Sequence, residues 1–252
     1  MHTSLITGGG RGIGRAIALA LAEPKCHVIV AGRHKEALDE TATEVERRGA
    51  RATALQMDVT DEQSVSNGFE SLQRTGFALD VLVNNAGAGG GEPVQDSDVA
   101  RWRKTIEVNV IGMYLVTRAS LPAINTNGRI INMASVLGRF GVPGYTAYCA
   151  AKHAVIGFTR ALALEVAPRG ITVNALSPGW VDTDMARQGM TQGAEAMGTS
   201  YAQFREQALS AVPIKRIIQP EEVARLVRFL IAPESSAITG QTYNICGGQT
   251  MD

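Results

Sequence analysis

Short apolar runs alternate along this chain with longer segments whose apolar residues recur every three to four positions. That alternation predicts βαβ units built on a parallel sheet. Strands are expected at 5–7, 28–31, 53–57, 81–84, 129–133, 172–176 and 242–245. Helices fit between them. One opens near Gly12 and runs to about residue 22, a charged one over 37–48 is stopped by Gly49, and long ones cover 99–120 and 145–167. The rhythm breaks over 185–212, which is rich in Met, Gly, Ala and Gln. A break this late in a doubly wound sheet reads as a substrate lid, set at about 183–212. The expected fold is a single Rossmann-type α/β domain over 1–252, with about seven parallel strands and helices on both faces.

Composition narrows the class. Hydrophobic residues make up 45% and charged residues 19%, an ordinary globular balance for 252 residues. The 24 Lys and Arg cancel the 24 Asp and Glu, and no basic run stands out, which argues against nucleic-acid or membrane partners. Cys26, Cys149 and Cys246 are odd in number and far apart, which fits a reduced cytoplasmic compartment better than a disulfide framework. His2, His27, His34 and His153 lack metal-ligand spacing, so no metal site is expected. Ser4-Leu5-Ile6 is too short for a signal peptide or a membrane helix.

The first strand runs into Thr7-Gly8-Gly9-Gly10-Arg11-Gly12-Ile13-Gly14, which opens the first helix. Glycines at that junction let the backbone turn tightly and approach a pyrophosphate held on the helix N-terminus. The second strand ends in Ala31-Gly32-Arg33-His34. An NAD site tends to carry a carboxylate there for the ribose hydroxyls; a guanidinium suits the 2′-phosphate of NADP(H) instead, with Arg11 as a second contact. A solvated surface charge is the plainer reading of Arg33.

Tyr148 and Lys152 are four residues apart within a predicted helix and so share one face. A nearby ammonium favours tyrosinate, so it is expected to lower the tyrosine pKa from about 10 toward the working range of a general acid.

Seven motifs in order resemble the short-chain dehydrogenase/reductase family over essentially the full length. They are the TGGGRGIG loop, Met57-Asp58-Val59, Asn84-Asn85-Ala86-Gly87, Val108-Asn109-Val110, Ser135, Tyr148 with Lys152, and Pro178-Gly179. The resemblance implies that Tyr148 is the acid/base and that Ser135 hydrogen-bonds the substrate oxygen. It implies that Lys152 binds the nicotinamide ribose, and that Asn109 holds a water linking Lys152 to solvent. Asp58, with Val59, would meet the adenine. Asn85, Ala86 and Gly87 would wall the cofactor, and Pro178, Gly179, Val181 and Thr183 would hold the nicotinamide end. Asn85 and Asn109 could instead satisfy buried backbone groups, and Thr183 could cap the helix after it. His153 faces away from Tyr148 at helical spacing and reads as structural.

Specificity in such folds comes from loops at the strands' carboxyl ends. Gly90, Leu137, Phe140, Tyr145, Trp180 and Met185 are the expected substrate contacts, in an apolar, adaptable pocket. Gly89-Gly90-Gly91, Lys152-His153 and 244–248 resemble the 3-oxoacyl-thioester and aromatic polyketide ketoreductases. The implied reaction is NADPH-dependent reduction of a β-keto thioester, CoA- or carrier-bound, or of a polyketide-type ketone. The alternatives are a free cyclic, aromatic or steroid-like ketone and a non-catalytic dinucleotide-binding redox sensor. Family habit implies a homotetramer.

Overall fold

The computed structural model describes residues 2–74, 76 and 78–251; residues 1, 75, 77 and 252 of the expected 1–252 unit lie outside the described residues. Its seven strands are β1 (His2–Thr7), β2 (Cys26–Gly32), β3 (Arg51–Gln56), β4 (Leu79–Asn84), β5 (Ile124–Met133), β6 (Thr172–Pro178) and β7 (Thr242–Ile245). All pair in parallel, in the order β3-β2-β1-β4-β5-β6-β7. The doubly wound fold expected from the alternation is the fold found.

Successive side chains on a strand point to opposite faces, so each central strand feeds two cores. On β2, Val28 and Val30 join Ile17, Val223 and Val227 on one side, while Ile29 and Ala31 join Phe69, Val116 and Leu162 on the other. The first layer comprises α1 (Gly12–Ala20), α2 (Lys35–Arg47) and α9 (Pro220–Ile231); the second comprises α3 (Glu62–Gln73), α5 (Gly112–Ser120) and α6 (Thr146–Val166). Fully buried side chains such as Ile17, Ile29 and Leu82 each contribute roughly 1.5–3 kcal/mol. The chain winds outward from β1 to β3, then crosses back to place β4 beside β1. That reversal opens a crevice at the carboxyl ends of β1 and β4, where such sheets bind ligands.

Two expectations need correction. The helix read over 99–120 is three pieces: α4 (Val99–Ile106), a π-helical turn Glu107–Ile111, and α5. Asn109 Nδ2 donates to the Thr105 carbonyl at 2.8 Å, occupying the acceptor that an α-helix gives to the main-chain N–H four residues on. The irregular stretch 185–212 is two helices, α7 (Asp184–Ala196) and α8 (Tyr201–Ser210). They cross closely because Gly193 has no side chain: a Cβ there would lie 2.3 Å from the Phe204 ring. A Ser200–Gln203 capping box starts α8.

Candidate active site

The glycine loop sits at the crevice and is pinned from β4. Asn85 Nδ2 donates to the carbonyls of Thr7 (2.9 Å) and Gly8 (3.3 Å), and the Thr7 hydroxyl accepts the N–H groups of Asn85 and Ala86, both at 3.0 Å. Asn85 therefore anchors the loop itself, the plainer of its two expected roles. Gly8 and Gly12 have φ of +65° and +49°, conformations that favour glycine. A Cβ on Gly14 would fall 2.2 Å from the Gly8 oxygen, and one on Gly12 would fall 3.0 Å from the Thr183 methyl. The loop is a bare main-chain cradle over the start of α1, and it fits a pyrophosphate. Ile13 packs partly buried against the core below it.

The cradle continues past β2. Arg33 and Arg11 are exposed, and among the described residues neither forms an ion pair within 4 Å. Asp58 accepts from the Thr60 N–H at 3.0 Å and the Thr60 hydroxyl at 2.8 Å. Partial burial pushes its carboxyl up, but the Thr60 bonds and the charges of Arg33 and Lys104 together hold it below its usual range. Asp58 is thus an anion fixed beside Arg33. Val59 is buried against Gly112 of α5, so only its main chain is available to a ligand.

Ser135 follows β5 and caps a 3-10 turn, its hydroxyl accepting the Leu137 N–H at 3.2 Å. That turn closes onto α6 through Gly138, where a Cβ would lie 2.7 Å from the Lys152 carbonyl. The approach brings Ser135 near enough to the Tyr148 hydroxyl to favour its ionised form. Lys152, 4% exposed, places Nζ 5.4 Å from the centre of the Tyr148 ring and donates to the Met133 carbonyl at 2.8 Å. Asn109 Nδ2 donates to the carbonyls of Ala88 and Thr105, both at 2.8 Å, while its buried Oδ1 has no hydrogen-bond partner among the described residues. The vacant side-chain position of Gly87 is 2.9 Å from that oxygen and 3.8 Å from Lys152 Nζ. Asn109 Oδ1 and Lys152 Nζ therefore border the same space beside Gly87.

The pKa expectation for the tyrosine is overturned. Burial pushes Tyr148 up to about 12, outweighing the lowering by the Ser135 hydrogen bond, and burial pushes Lys152 down to about 8. Both groups lie in a weakly solvated site that disfavours either charge, so the spacing of four alone does not decide the direction.

Of the pocket residues, Met185 meets the glycine stretch, its Sδ lying 3.4 Å from where a Gly89 Cβ would be. Gly90, at φ +127°, faces Gln192, and Tyr145 packs on Gly91. Leu137 and Phe140 are partly buried. Trp180 instead leans on Gly189 of α7, bracing the lid. Val181 is buried and bridges to Ile218. Thr183 caps α7, accepting from Ala186 N at 3.2 Å. Pro178 ends β6, and Gly179 donates to Ile245 O at 3.1 Å. His153 is exposed on α6, as its spacing implies, with Nδ1 against the Cys149 carbonyl.

Sequence reasoning missed the scaffold behind this site. Asn84 Nδ2 donates to Thr117 Oγ1 and Asn132 Oδ1, and Asn132 donates to Thr159, each at 2.9 Å. These bonds tie β4 and β5 to α5 and α6. Polar residues inside otherwise apolar strand runs were the available signal.

The family model described as enoyl-(acyl carrier protein) reductase matches residues 8–250. A 3-oxoacyl-[acyl-carrier-protein] reductase of Synechocystis is 39% identical over 254 residues, covering 99% of this chain and 97% of that protein. An actinorhodin polyketide ketoreductase solved with NADPH superposes with a TM-score of 0.93 at 38% identity, covering 98% and 97% of the two chains. A short chain dehydrogenase family protein from Francisella tularensis superposes at 0.88 with 27% identity over 99% and 98%.

Proposed function

The chain belongs to the short-chain dehydrogenase/reductase family, and we propose that it is an NADPH-dependent ketoreductase acting on β-keto acyl thioesters or polyketide-type ketones. The observation that carries this is the hydroxyl pair of Ser135 and Tyr148, held together with Lys152 buried behind it. Two neighbouring hydroxyls suit a carbonyl oxygen better than a carbon–carbon double bond. The reductant is NADPH, which supplies the hydride that the carbonyl carbon receives.

The protein's own groups complete the reaction. Tyr148 gives its phenolic proton to the carbonyl oxygen, and Ser135 donates a hydrogen bond to that oxygen as its negative charge grows. The ammonium of Lys152 then faces the phenolate. Asn109 Oδ1 and Lys152 Nζ flank the space at Gly87 through which a water would return the proton. Gly8, Gly12 and Gly14 would cradle the pyrophosphate, and Arg33 with Arg11 would grip the 2′-phosphate. Asp58 would meet the adenine, and 178–183 the nicotinamide end. Met185, Tyr145 and residues 89–91 would bound the substrate, under a lid formed by α7 and α8 over about 183–212.

The whole 1–252 unit would act as one domain, in the cytoplasm and as a homotetramer. Among the described residues no helix is long and apolar enough to cross a membrane. Tyr114, Leu164 and Phe229 are exposed apolar side chains on α5, α6 and α9, which suits subunit contacts.

The deciding experiment follows NADPH absorbance at 340 nm with acetoacetyl-CoA and with a bicyclic ketone. Turnover of either, lost in Tyr148→Phe, is expected. Failure on both with turnover of unrelated carbonyls would overturn the substrate class, and equal rates in parent and variant would overturn the tyrosine's role.

A further inference from the structure

Residues 89–91 leave β4 as a glycine stretch that could swing freely, yet their downstream neighbour is held at three points. The Glu92 N–H donates to the Gly144 carbonyl at 2.6 Å. Its Oε2 accepts the N–H of Asp98, the residue that caps α4, at 3.2 Å, and its Oε1 pairs with Arg101 one turn into that helix. Both carboxylate oxygens are therefore committed. Trp102 of α4 adds a parallel tie, Nε1 donating to Thr146 Oγ1 at 3.3 Å. The joined segments are the glycine stretch, the start of α4 and the 144–146 turn that opens α6 two residues before Tyr148.

The upstream side of this junction is tight. A Cβ on Gly91 would lie 2.9 Å from the Gly144 oxygen and 2.9 Å from the Tyr145 ring, while Gly89 faces Met185 across the cleft. Residues 89–91 thus form a side-chain-free wall between Met185 of the lid and Tyr145, three residues before Tyr148. We propose that Glu92 is a positioning residue: its bonds to Asp98 and Arg101 hold the 89–91 wall in place and thereby fix which face of the ketone meets the hydride donor. An exposed ion pair alone contributes little. The effect comes from one carboxylate fastening a flexible stretch to a helix start.

This inference rests on the ketoreductase reading, so its test has one arm that needs no turnover. In the protein alone, hydrogen exchange of the amides at 89–92 is expected to quicken at least tenfold in Glu92→Gln, with exchange in β1 and β4 unchanged. With NADPH and a prochiral bicyclic ketone, the same variant should show a KM raised at least threefold, kcat within twofold, and a clearly eroded ratio of product enantiomers. Arg101→Glu, which breaks the ion pair, should shift exchange and ratio in the same direction. A merely structural role would not move the enantiomer ratio. Unchanged exchange at 89–92, or an unchanged ratio, would overturn the proposal. If the parent reduces no ketone while exchange still quickens in Glu92→Gln, the ketoreductase reading fails and the fastening by Glu92 stands.

Discussion

The ammonium of Lys152 lies 5.4 Å from the centre of the Tyr148 ring, and its hydrogen bond goes to the Met133 carbonyl at the end of β5. The lysine is thus held by the sheet, while Ser135 stands beside the tyrosine. Burial acts on both, raising the phenol to about 12 and lowering the ammonium to about 8. At neutral pH the phenol keeps its proton for the carbonyl, and the ammonium is the group near its titration point.

The alkaline limb of the reduction should therefore belong to Lys152. In the parent, kcat/KM for ketone reduction is expected to fall as pH rises through about 8. Lys152→Met should be slow at every pH and show no inflection there. Stability should move oppositely. With its folded pKa depressed, Lys152 contributes stability that is present above about 10.5 and lost as pH falls through about 8. Lys152→Met should thus match or exceed the parent's stability at pH 7, by about 1–3 kcal/mol, with the margin shrinking toward pH 10. Calorimetry of both proteins at the two pH values, beside the pH–rate profiles, checks both signs.

Removing either hydroxyl should separate chemistry from cofactor binding. Tyr148→Phe is expected to lower kcat by about 10²–10⁴-fold through loss of the proton donor. Ser135→Ala should lower it by about 10²-fold through loss of one donor to the developing oxyanion. NADPH Kd, measured by fluorescence titration, should stay within about threefold in both. A Kd that rose in step with the loss of rate would place these residues in cofactor binding instead.

The strand count and the parallel sheet were legible because buried strands write themselves as apolar runs between helical periods, as at Val28–Val30 and Val81–Val83. What escaped has a physical reason in each case. The π-turn at Glu107–Ile111 depends on one side-chain bond, from Asn109 to Thr105, that no periodicity encodes. Of the lid helices, α7 was hidden by Gly189 and Gly193 set within its stripe of Ala186, Met190 and Ala194, and α8 by a weak stripe that buries Leu209 alone. The tyrosine's pKa shift was misread because spacing shows which charge is near, not how deeply both groups are buried. Residue identity was the better guide where main-chain space decides, as at Gly8, Gly12 and Gly14.

Arg33 should set the choice between the two nicotinamide cofactors. Exposed and free of any ion pair among the described residues, it has its full donor set available for a 2′-phosphate. Loss of one charge-assisted contact costs about 1.5–3 kcal/mol, so Arg33→Ala is expected to raise NADPH Kd by roughly 10–100-fold while leaving NADH Kd within about twofold. Titration of both cofactors against parent and variant reads this directly. An equal loss for both would mean that Arg33 shapes the cradle without discriminating.

Gly14→Ala should test whether the glycine loop is a cradle or an ordinary turn. The added methyl would sit 2.2 Å from the Gly8 oxygen and 2.5 Å from Asn85 Nδ2. The nearer obstacle is main chain, so no side-chain rotation relieves it, and Asn85→Ala in the same protein should not rescue it. Either the loop or the start of α1 must shift, at a cost of about 1–3 kcal/mol. For a chain of this size that lowers Tm by roughly 2–10 °C, leaving a folded protein at 25 °C. NADPH binding should suffer far more, falling by about 100-fold or beyond, because the displaced N–H groups are those that would meet the pyrophosphate. A variant that lost the same few degrees but bound NADPH as the parent does would show that Gly14 serves packing alone.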